Sequence, residues 1–335
     1  MTGTGKQGRL VLRRAAPEAW DDVVAGHPDA TPFHLAAFLS TAGRHLGLRT
    51  DLTVLEADGR VIGAVPLLIR ARGPLALVNH RLPFPYLGPL LPPGWSPDAV
   101  LPAIRRHLRP QVLLSYGVES VGPLMPTPAP GWEYREDFES AVIVLKGRDD
   151  DALLGRFDAL QRANVRRGIR RGFETGPATR QDVAEHLASW SAAAFARQGL
   201  PPRWPAGAQV AIYDQMAASG RVLATAARRD GELLGVTVDF PWADRVYAWE
   251  IGLNPTGRAA GVAPVLSYAA VCRARDLGAT EMDILGAPNE GIARFKRGLG
   301  AEFRPRGVAR WASPLLPWGK RVRHGLDTVR ARVRP

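Results

Sequence analysis

The sequence predicts an α/β protein of two domains, and four observations carry that prediction. At 335 residues the chain is long for a single core and suited to two domains of about 150 to 170 residues each. Asp58-Gly59 and Asp230-Gly231 each separate two apolar runs, the signature of a β-hairpin. The pattern Asp-Gly-x-apolar-apolar-Gly-apolar recurs at an offset of about half the chain (Asp58–Ala64 and Asp230–Val236), as a duplicated unit would leave it. Finally, Glu281–Phe303 reads as strand, turn, helix and strand. Met282, Ile284 and Leu285 form an apolar run, Gly286, Pro288 and Asn289 break it, Asn289 can cap, and Ile292, Phe295 and Leu299 recur at helical spacing.

Taken in order, residues 1–8 contain the letters Gly3-x-Gly5-x-x-Gly8, but a dinucleotide fingerprint must follow a strand, and this one precedes the first. A strand over residues 9–14, a helix from Pro17 and a helix over 35–46 come next. The hairpin around Asp58 then leads into Asn79–Gly94, too irregular for a helix and too aromatic for a solvated linker, hence an ordered loop. A helix over 98–108, a strand over 112–116, a Pro-rich turn region at 122–131 and a strand ending near Leu145 complete the first domain, taken as residues 1–148. The second, residues 149–313, opens with one helix over 149–172 that has acidic residues at its start, arginines toward its end and an apolar face of Leu153, Leu154, Phe157, Leu160, Val165 and Ile169. Helices over 182–197 and 207–218, the hairpin around Asp230, a strand over 245–253, a helix over 262–277 and a strand over 306–311 follow. Residues 314–335 space Val322, Leu326, Val329 and Val333 on one face among cations, the profile of an interfacial helix and equally of one docked on its own domain.

Composition limits the function classes. Apolar residues make up 46% and charged residues 23%, with no apolar run long enough for a transmembrane span or signal peptide, so a cytoplasmic protein is expected, with contact at the inner membrane face through the basic tail. The single cysteine, Cys272, excludes an internal disulfide and a multi-cysteine metal site. A net charge of +12 attracts polyanions such as RNA, anionic lipid or phosphorylated substrates. There is no Gly-x-Ser-x-Gly elbow, no His-Glu-x-x-His and no Walker loop.

The strand, turn and helix from Asp283 through Phe295-Lys296-Arg297-Gly298-Leu299-Gly300 resemble the C-terminal signature of the Fem-type aminoacyltransferases and their relatives among the GNAT N-acyltransferases. Two more segments carry the resemblance: Arg162-x-Asn164-x-x-Arg167, similar to the helix opening the second Fem domain, and Arg258-Ala-Ala-Gly261-Val262-Ala263, which fits the GNAT pattern Arg/Gln-x-x-Gly-x-Gly/Ala. The resemblance implies two tandem GNAT-like domains, each a mixed, mostly antiparallel sheet flanked by helices. It also implies an N-acyltransferase acting on an amine, in modification of a cell-envelope component, a polysaccharide or a small metabolite. The donor expected is acyl-CoA as co-substrate, with no tightly bound cofactor and no metal; aminoacyl-tRNA is the alternative donor, with a peptidoglycan precursor or small peptide as acceptor. A non-catalytic scaffold binding polyanion or anionic membrane is the reading from another class.

Small residues at Gly261 and Ala263 allow backbone N–H groups at a helix start to approach a pyrophosphate, so Arg258, Gly261, Val262 and Ala263 are the candidate donor site. Direct attack of an amine on an activated ester needs alignment, a base and an oxyanion donor. Glu250, on the preceding strand, is the candidate base, although alternation along YAWEIG could also point it at solvent. Asp283 and Lys296 could act as a pair, Lys296 stabilising negative charge, or simply lock strand to helix. Tyr268 is a candidate acid for the leaving thiolate, by analogy with GNAT enzymes. His80, Arg81 and Tyr86 on the Asn79–Gly94 loop, and Arg162, Asn164 and Arg167, are candidate substrate contacts. The alternatives are that the loop aromatics plug the first domain and that the arginine helix is a solvated connector.

Overall fold

The computed structural model describes residues 10–124, 129–135 and 138–316. In chain order the elements are β1 (Val11–Arg14), α1 (Pro17–Ala25), α2 (Ala36–His45), β2 (Arg49–Ala57), β3 (Arg60–Arg72), β4 (Leu75–Val78), α3 (Leu101–His107), β5 (Val112–Glu119), β6 (Trp132–Arg135) and β7 (Glu139–Val144). There follow α4 (Asp150–Arg156), α5 (Ala159–Arg170), β8 (Glu174–Pro177), α6 (Arg180–Asp182), α7 (Ala188–Ala196), α8 (Ala208–Ala218), β9 (Leu223–Arg229), β10 (Glu232–Trp242), β11 (Arg245–Leu253) and α9 (Pro255–Ala260). The last are α10 (Ala263–Asp276), β12 (Glu281–Asp283), α11 (Glu290–Gly298), β13 (Glu302–Pro305) and β14 (Val308–Ala312). A π-helical turn, Val183–Leu187, joins α6 to α7. The strands form two mixed sheets of seven, and the chain divides into two compact units around them.

Among the described residues, the first unit comprises 10–30, 47–124, 129–135 and 307–316. Its sheet runs β1-β2-β3-β4-β5-β14-β6, antiparallel except for the parallel pair β4 and β5. Asp58 and Gly59 both take positive φ, as a two-residue hairpin turn requires. Its core joins Leu55, Val65, Leu67 and Ile69 of the hairpin to Ile104 of α3 and to Tyr116 and Trp311 of β5 and β14. Asp51, buried on β2, receives Arg14 at 2.9 Å and His107 at 3.0 Å, which ties β1, β2 and α3 together. Burial alone would raise the pKa of that carboxyl, but the hydrogen bonds from His107 and Arg14 and the charges of Arg49 and Arg14 outweigh it and hold the value low.

The second unit comprises residues 31–46 and 137–306, and its sheet runs β13-β7-β12-β11-β10-β9-β8. Asp230 and Gly231 repeat the positive-φ hairpin turn between β9 and β10. One face of this sheet carries α10, whose Ala270, Val271 and Ala274 pack with Val246, Met282 and Leu153. The other face is aromatic: Phe33 and the Phe38 of α2 meet Phe240 edge-on at 6.2 and 6.0 Å between ring centroids, and Trp249 stacks on Phe240 at 5.0 Å.

Three expectations are corrected here. The units are not contiguous at 148/149: β7 lies in the second sheet between β13 and β12, β14 lies in the first between β5 and β6, and α2 belongs to the second unit. Sheet edges rather than sequence proximity decide where a strand pairs. The helix expected over 149–172 is two, because Phe157 is extended and Asp158 starts α5 afresh, its carboxylate accepting from the Gln161 amide at 2.7 Å. As a result Leu160 and Ile169 leave the apolar face and are 63% and 55% exposed. Residues 1–8 and nearly all of the tail, 317–335, lie outside the described residues.

Asp239 on β10 is fully buried, and its carboxylate accepts only the Thr237 hydroxyl, at 3.2 and 3.3 Å, among the bonds described. Burial pushes its pKa up to about 8, against smaller pulls from Thr237 and Arg273. The native state therefore holds a proton that the unfolded chain releases near pH 4, so this residue's contribution to stability falls as pH rises from about 4 to 8, by up to about 1.4 kcal/mol per unit. Asp239→Asn should match the parent in thermal melts near pH 4 and exceed it increasingly toward pH 8.

Candidate functional site

The site is built on a parallel pair that stops early. β11 and β12 run side by side through Arg245 with Glu281, Val246 with Met282 and Tyr247 with Asp283. Beyond Tyr247, β11 continues for six residues, and among the described residues no strand pairs with that edge. The result is a V-shaped opening in the second sheet, with Ile251 45% exposed on its open arm. An unpaired edge beside exposed apolar surface can take an extended ligand segment.

The register of β11 against β10 decides where Glu250 points. Val238 opposes Glu250 and Asp239 opposes Ala248, so Trp249 is an extra residue, a β-bulge in β11. Uninterrupted alternation would place Glu250 on the face of Ala248. The bulge turns it to the face of Phe240 and Tyr247 instead. There it is 8% exposed, its Oε2 accepting from the Ser191 hydroxyl at 3.0 Å and its Oε1 from the Trp204 indole N–H at 2.9 Å. Desolvation raises its pKa, opposed by Arg203, Ser191, Trp204 and Gln209. Trp204 in turn meets Phe38 and Trp249 edge-on at 6.5 and 6.0 Å. Ser191, Arg203 and Trp204 were not marked by the sequence, since they come from segments far from Glu250 in the chain and match no motif.

After β11 comes the candidate phosphate turn. Asn254 caps α9, accepting from the Gly257 amide at 2.5 Å, and Gly257 lies so close to the Leu234 carbonyl that any Cβ would collide with it. Gly261 follows at φ +74, exposed, with open space where a side chain would be. Its N–H, however, closes α9 on the Arg258 carbonyl (3.2 Å), and the Val262 N–H does so on that of Gly257 (2.9 Å). The amides expected to form a cradle at Gly261 and Val262 are therefore committed. The first turn of α10, from Ala263 to Val265, precedes the first intrahelical bond, from Leu266 N–H to the Val262 carbonyl, and carries two helix-start amides, those of Ala263 and Val265, since Pro264 has none. Arg258 is exposed on α9. Gly168 lets α5 press against Val265 of that same turn, where a Cβ would collide, so exposed Arg167, Arg170 and Arg171 stand at the same end of the unit.

At the other arm of the opening, Asp283 ends β12. Its Oδ1 accepts from the Ser140 hydroxyl at 2.5 Å and from the Leu285 amide at 2.8 Å, and Leu285 sits at φ +62. This tight turn aims three carbonyls inward. The Lys296 ammonium donates to all of them: Ile284, Leu285 (3.0 Å) and Gly286 (2.9 Å). All three donors of an ammonium are thereby used. Burial draws the Lys296 pKa down to about 8, with the Asp283 charge pulling it back up and Arg203 and Arg306 opposing. The geometry is that of a pin holding the strand-end turn to α11, and Asp283 supports the turn from within. Arg203 lies within electrostatic reach of both Glu250 and Lys296, which puts the two arms of the opening in one field.

Other candidates lie elsewhere. The Tyr268 hydroxyl donates to the Asp150 carbonyl on α4 at 3.0 Å, with its ring edge-on to Phe157, and is engaged there and not with Glu250. Arg162 donates to the carbonyls of Phe157 and Gly155, closing α4, and Asn164 makes one long bond, 3.4 Å, to Gln161. In the first unit the comparable gap beyond the parallel pair β4 and β5 is filled by the chain itself. Asn79, at positive φ, bonds Pro66 and Leu68, the Glu119 amide donates to the Leu87 carbonyl at 3.2 Å, and Leu90 bridges Ala64. Tyr86 is 1% exposed in that plug, a core residue and not a surface contact, while His80 is half-buried and Arg81 exposed.

Lys296→Met keeps the stem of the side chain and strands three carbonyls. It should cost about 1 to 3 kcal/mol of stability in denaturant unfolding, and hydrogen exchange should rise in the amides of residues 284–289.

Residues 159–297 match the family model of the acetyltransferase (GNAT) domain. No curated protein matches the sequence. Among solved structures, FemX superposes with a TM-score of 0.72 at 15% identity, over 90% of this chain and 97% of that one. The C-terminal domain of a putative lysylphosphatidylglycerol synthetase from Agrobacterium fabrum gives 0.56 at 14% identity, over 88% and 92%. A tandem GNAT protein from the clavulanic acid biosynthesis pathway gives 0.54 at 17% identity, over 91% and 98%. At such identities the likeness concerns the fold. The domain match and the two seven-stranded sheets lead to one conclusion: residues 159–297 carry an acetyltransferase (GNAT) domain, and the chain has the tandem-GNAT fold that it shares with FemX.

Proposed function

We propose that this protein is an N-acyltransferase that moves an acyl group from an acyl-CoA thioester to an amine, by direct attack and without a covalent enzyme intermediate. The observation that carries the reading is the unpaired edge of β11 beyond Tyr247, bounded by Glu250 on one face and followed by the exposed turn at Gly261 and the start of α10. An extended thioester arm laid along that edge would find strand N–H and C=O groups for its amides, and its phosphates would meet the α10 start and the Arg167, Arg170, Arg171 and Arg258 surface. The amine nitrogen forms its bond to the thioester carbonyl carbon, the carbon–sulfur bond breaks, and Glu250 receives the ammonium proton directly or through water. The departing thiolate can take that proton back. Tyr268 has no part in this step, and Lys296 serves the reaction by holding the turn at residues 284–286 rather than by touching the reacting atoms.

Aminoacyl-tRNA is the second donor reading, favoured by the arginine crest of α5 and the net charge of +12. A tRNA donor would bind with a steep salt dependence, whereas a CoA thioester would not. The decisive experiment measures thiol release from acetyl-CoA with a panel of amines, beside low-salt binding of charged tRNA. Amine-dependent thiol release without tRNA binding supports the first reading, and tRNA binding without thiol release replaces it with the second. Glu250→Gln should lower turnover about 10²- to 10⁴-fold with unchanged melting temperature. The acid limb of the parent's rate profile should lie above the ordinary glutamate range, because burial raises that carboxyl's pKa.

A further inference from the structure

The two hydrogen bonds to Glu250 are not equivalent. An indole N–H is a donor only, whereas a serine hydroxyl donates or accepts according to its rotation. When Glu250 is ionised, Oε1 accepts from Trp204 and Oε2 from Ser191. Once the carboxyl carries a proton, one oxygen becomes a donor. On Oε1 that proton would point at the Trp204 N–H, two donors face to face. On Oε2 it meets the Ser191 oxygen, which can turn its own hydrogen to the Leu187 carbonyl four residues back, the usual alternative for a helical serine. The backbone of Leu187 lies on this side of β11, with its oxygen 3.4 Å from where a Cβ on Gly252 would stand.

We infer that Trp204 and Ser191 are positioning residues that direct the proton gathered by Glu250 to Oε2, Trp204 holding Oε1 as the permanent acceptor and Ser191 reversing its bond. This rests on Glu250 being the base, and adds to that reading which oxygen works and which residues decide it. Trp204 is fixed for the task, its ring held edge-on by Phe38 and Trp249. The charged group facing Glu250 is Arg203, on the same segment as Trp204, and the remaining neutral neighbour is Gln209 of α8. Gln209 is a further side-chain donor to this carboxylate and, like Ser191 and Trp204, draws its pKa down.

The consequence is an asymmetry that a merely structural role would not produce. Trp204 donates to Oε1 in both forms but more strongly to the carboxylate, whereas Ser191 donates to the ionised form and accepts from the protonated one. Trp204→Phe keeps the ring and should raise the Glu250 pKa by about one to two pH units; Ser191→Ala should move it by a few tenths. The measurement is a carbon-13 carboxyl NMR titration of the full chain, the Glu250 resonance being the one lost in Glu250→Gln, so it requires no substrate. A large upward shift in Trp204→Phe with little in Ser191→Ala supports the assignment. Equal shifts, a larger shift in Ser191→Ala, or none in Trp204→Phe overturns it. Should Trp204→Phe not fold, Ser191→Ala decides alone, since a shift near one unit there excludes a serine that reverses its bond. The base reading is tested apart from this, since undiminished turnover in Glu250→Gln would remove it whatever the titration gives.

Discussion

The early end of the β11–β12 pairing is the constraint on which the second unit depends, and local chemistry on each strand enforces it. β12 cannot continue beside β11 because Asp283 captures the Leu285 amide, Leu285 takes a left-handed conformation, and the carbonyls that would have gone to a ladder go to the Lys296 ammonium. β11 cannot follow β12 because the bulge at Trp249 increases its twist at the point where they part. The opening is thus held apart by satisfied hydrogen bonds on one arm and by packed aromatic rings on the other.

The first unit has the same hairpin and the same parallel pair, yet offers no such edge. Gly63, Gly88 and Gly117 each let the Asn79–Leu90 segment come so near that a Cβ would strike a backbone carbonyl, and this segment takes the place beside β5 that a ligand would need. Two copies of one architecture have therefore diverged through a loop. In one the gap beside the parallel pair is sealed by Tyr86 and Leu87; in the other it stays open, because the chain after Leu253 turns at once into α9 and α10.

Much of this was legible from sequence because it rests on local rules. Both Asp-Gly turns, the Asn289 cap on α11 and the Gly261 turn follow from residues whose backbone or capping preferences leave little choice. What could not be read was non-local. Alternation along Tyr247–Gly252 gives no sign of the bulge, which exists only in register with β10, and so the direction of Glu250 was open. The exchange of β7 and β14 between sheets depends on which edges are free. Lys296 and Asp283 were expected to act as a pair or as a plain ion pair, whereas the ammonium goes to a carbonyl cage set by the conformation of residues 284–286, which no composition specifies.

Commitment of polar atoms sharpens the remaining chemistry. A side chain whose donors or acceptors are already spent on backbone groups must break those bonds before it can serve a substrate, and in a buried setting that costs more than a surface bond would return. Lys296 and Tyr268 are of this kind: the first pins the turn at 284–286 with all three of its donors, and the second ties α10 to α4 through its one O–H. Glu250 differs. Its oxygens accept from Ser191 and Trp204, with Gln209 a third donor beside them, and a carboxylate can accept about four, so capacity remains for an ammonium or a water. The candidate base is thus a buried ionisable group beside the opening that can change its bonding without dismantling a turn, whereas Asp283, the other carboxylate there, holds the Ser140 hydroxyl and the Leu285 amide and with them the end of β12.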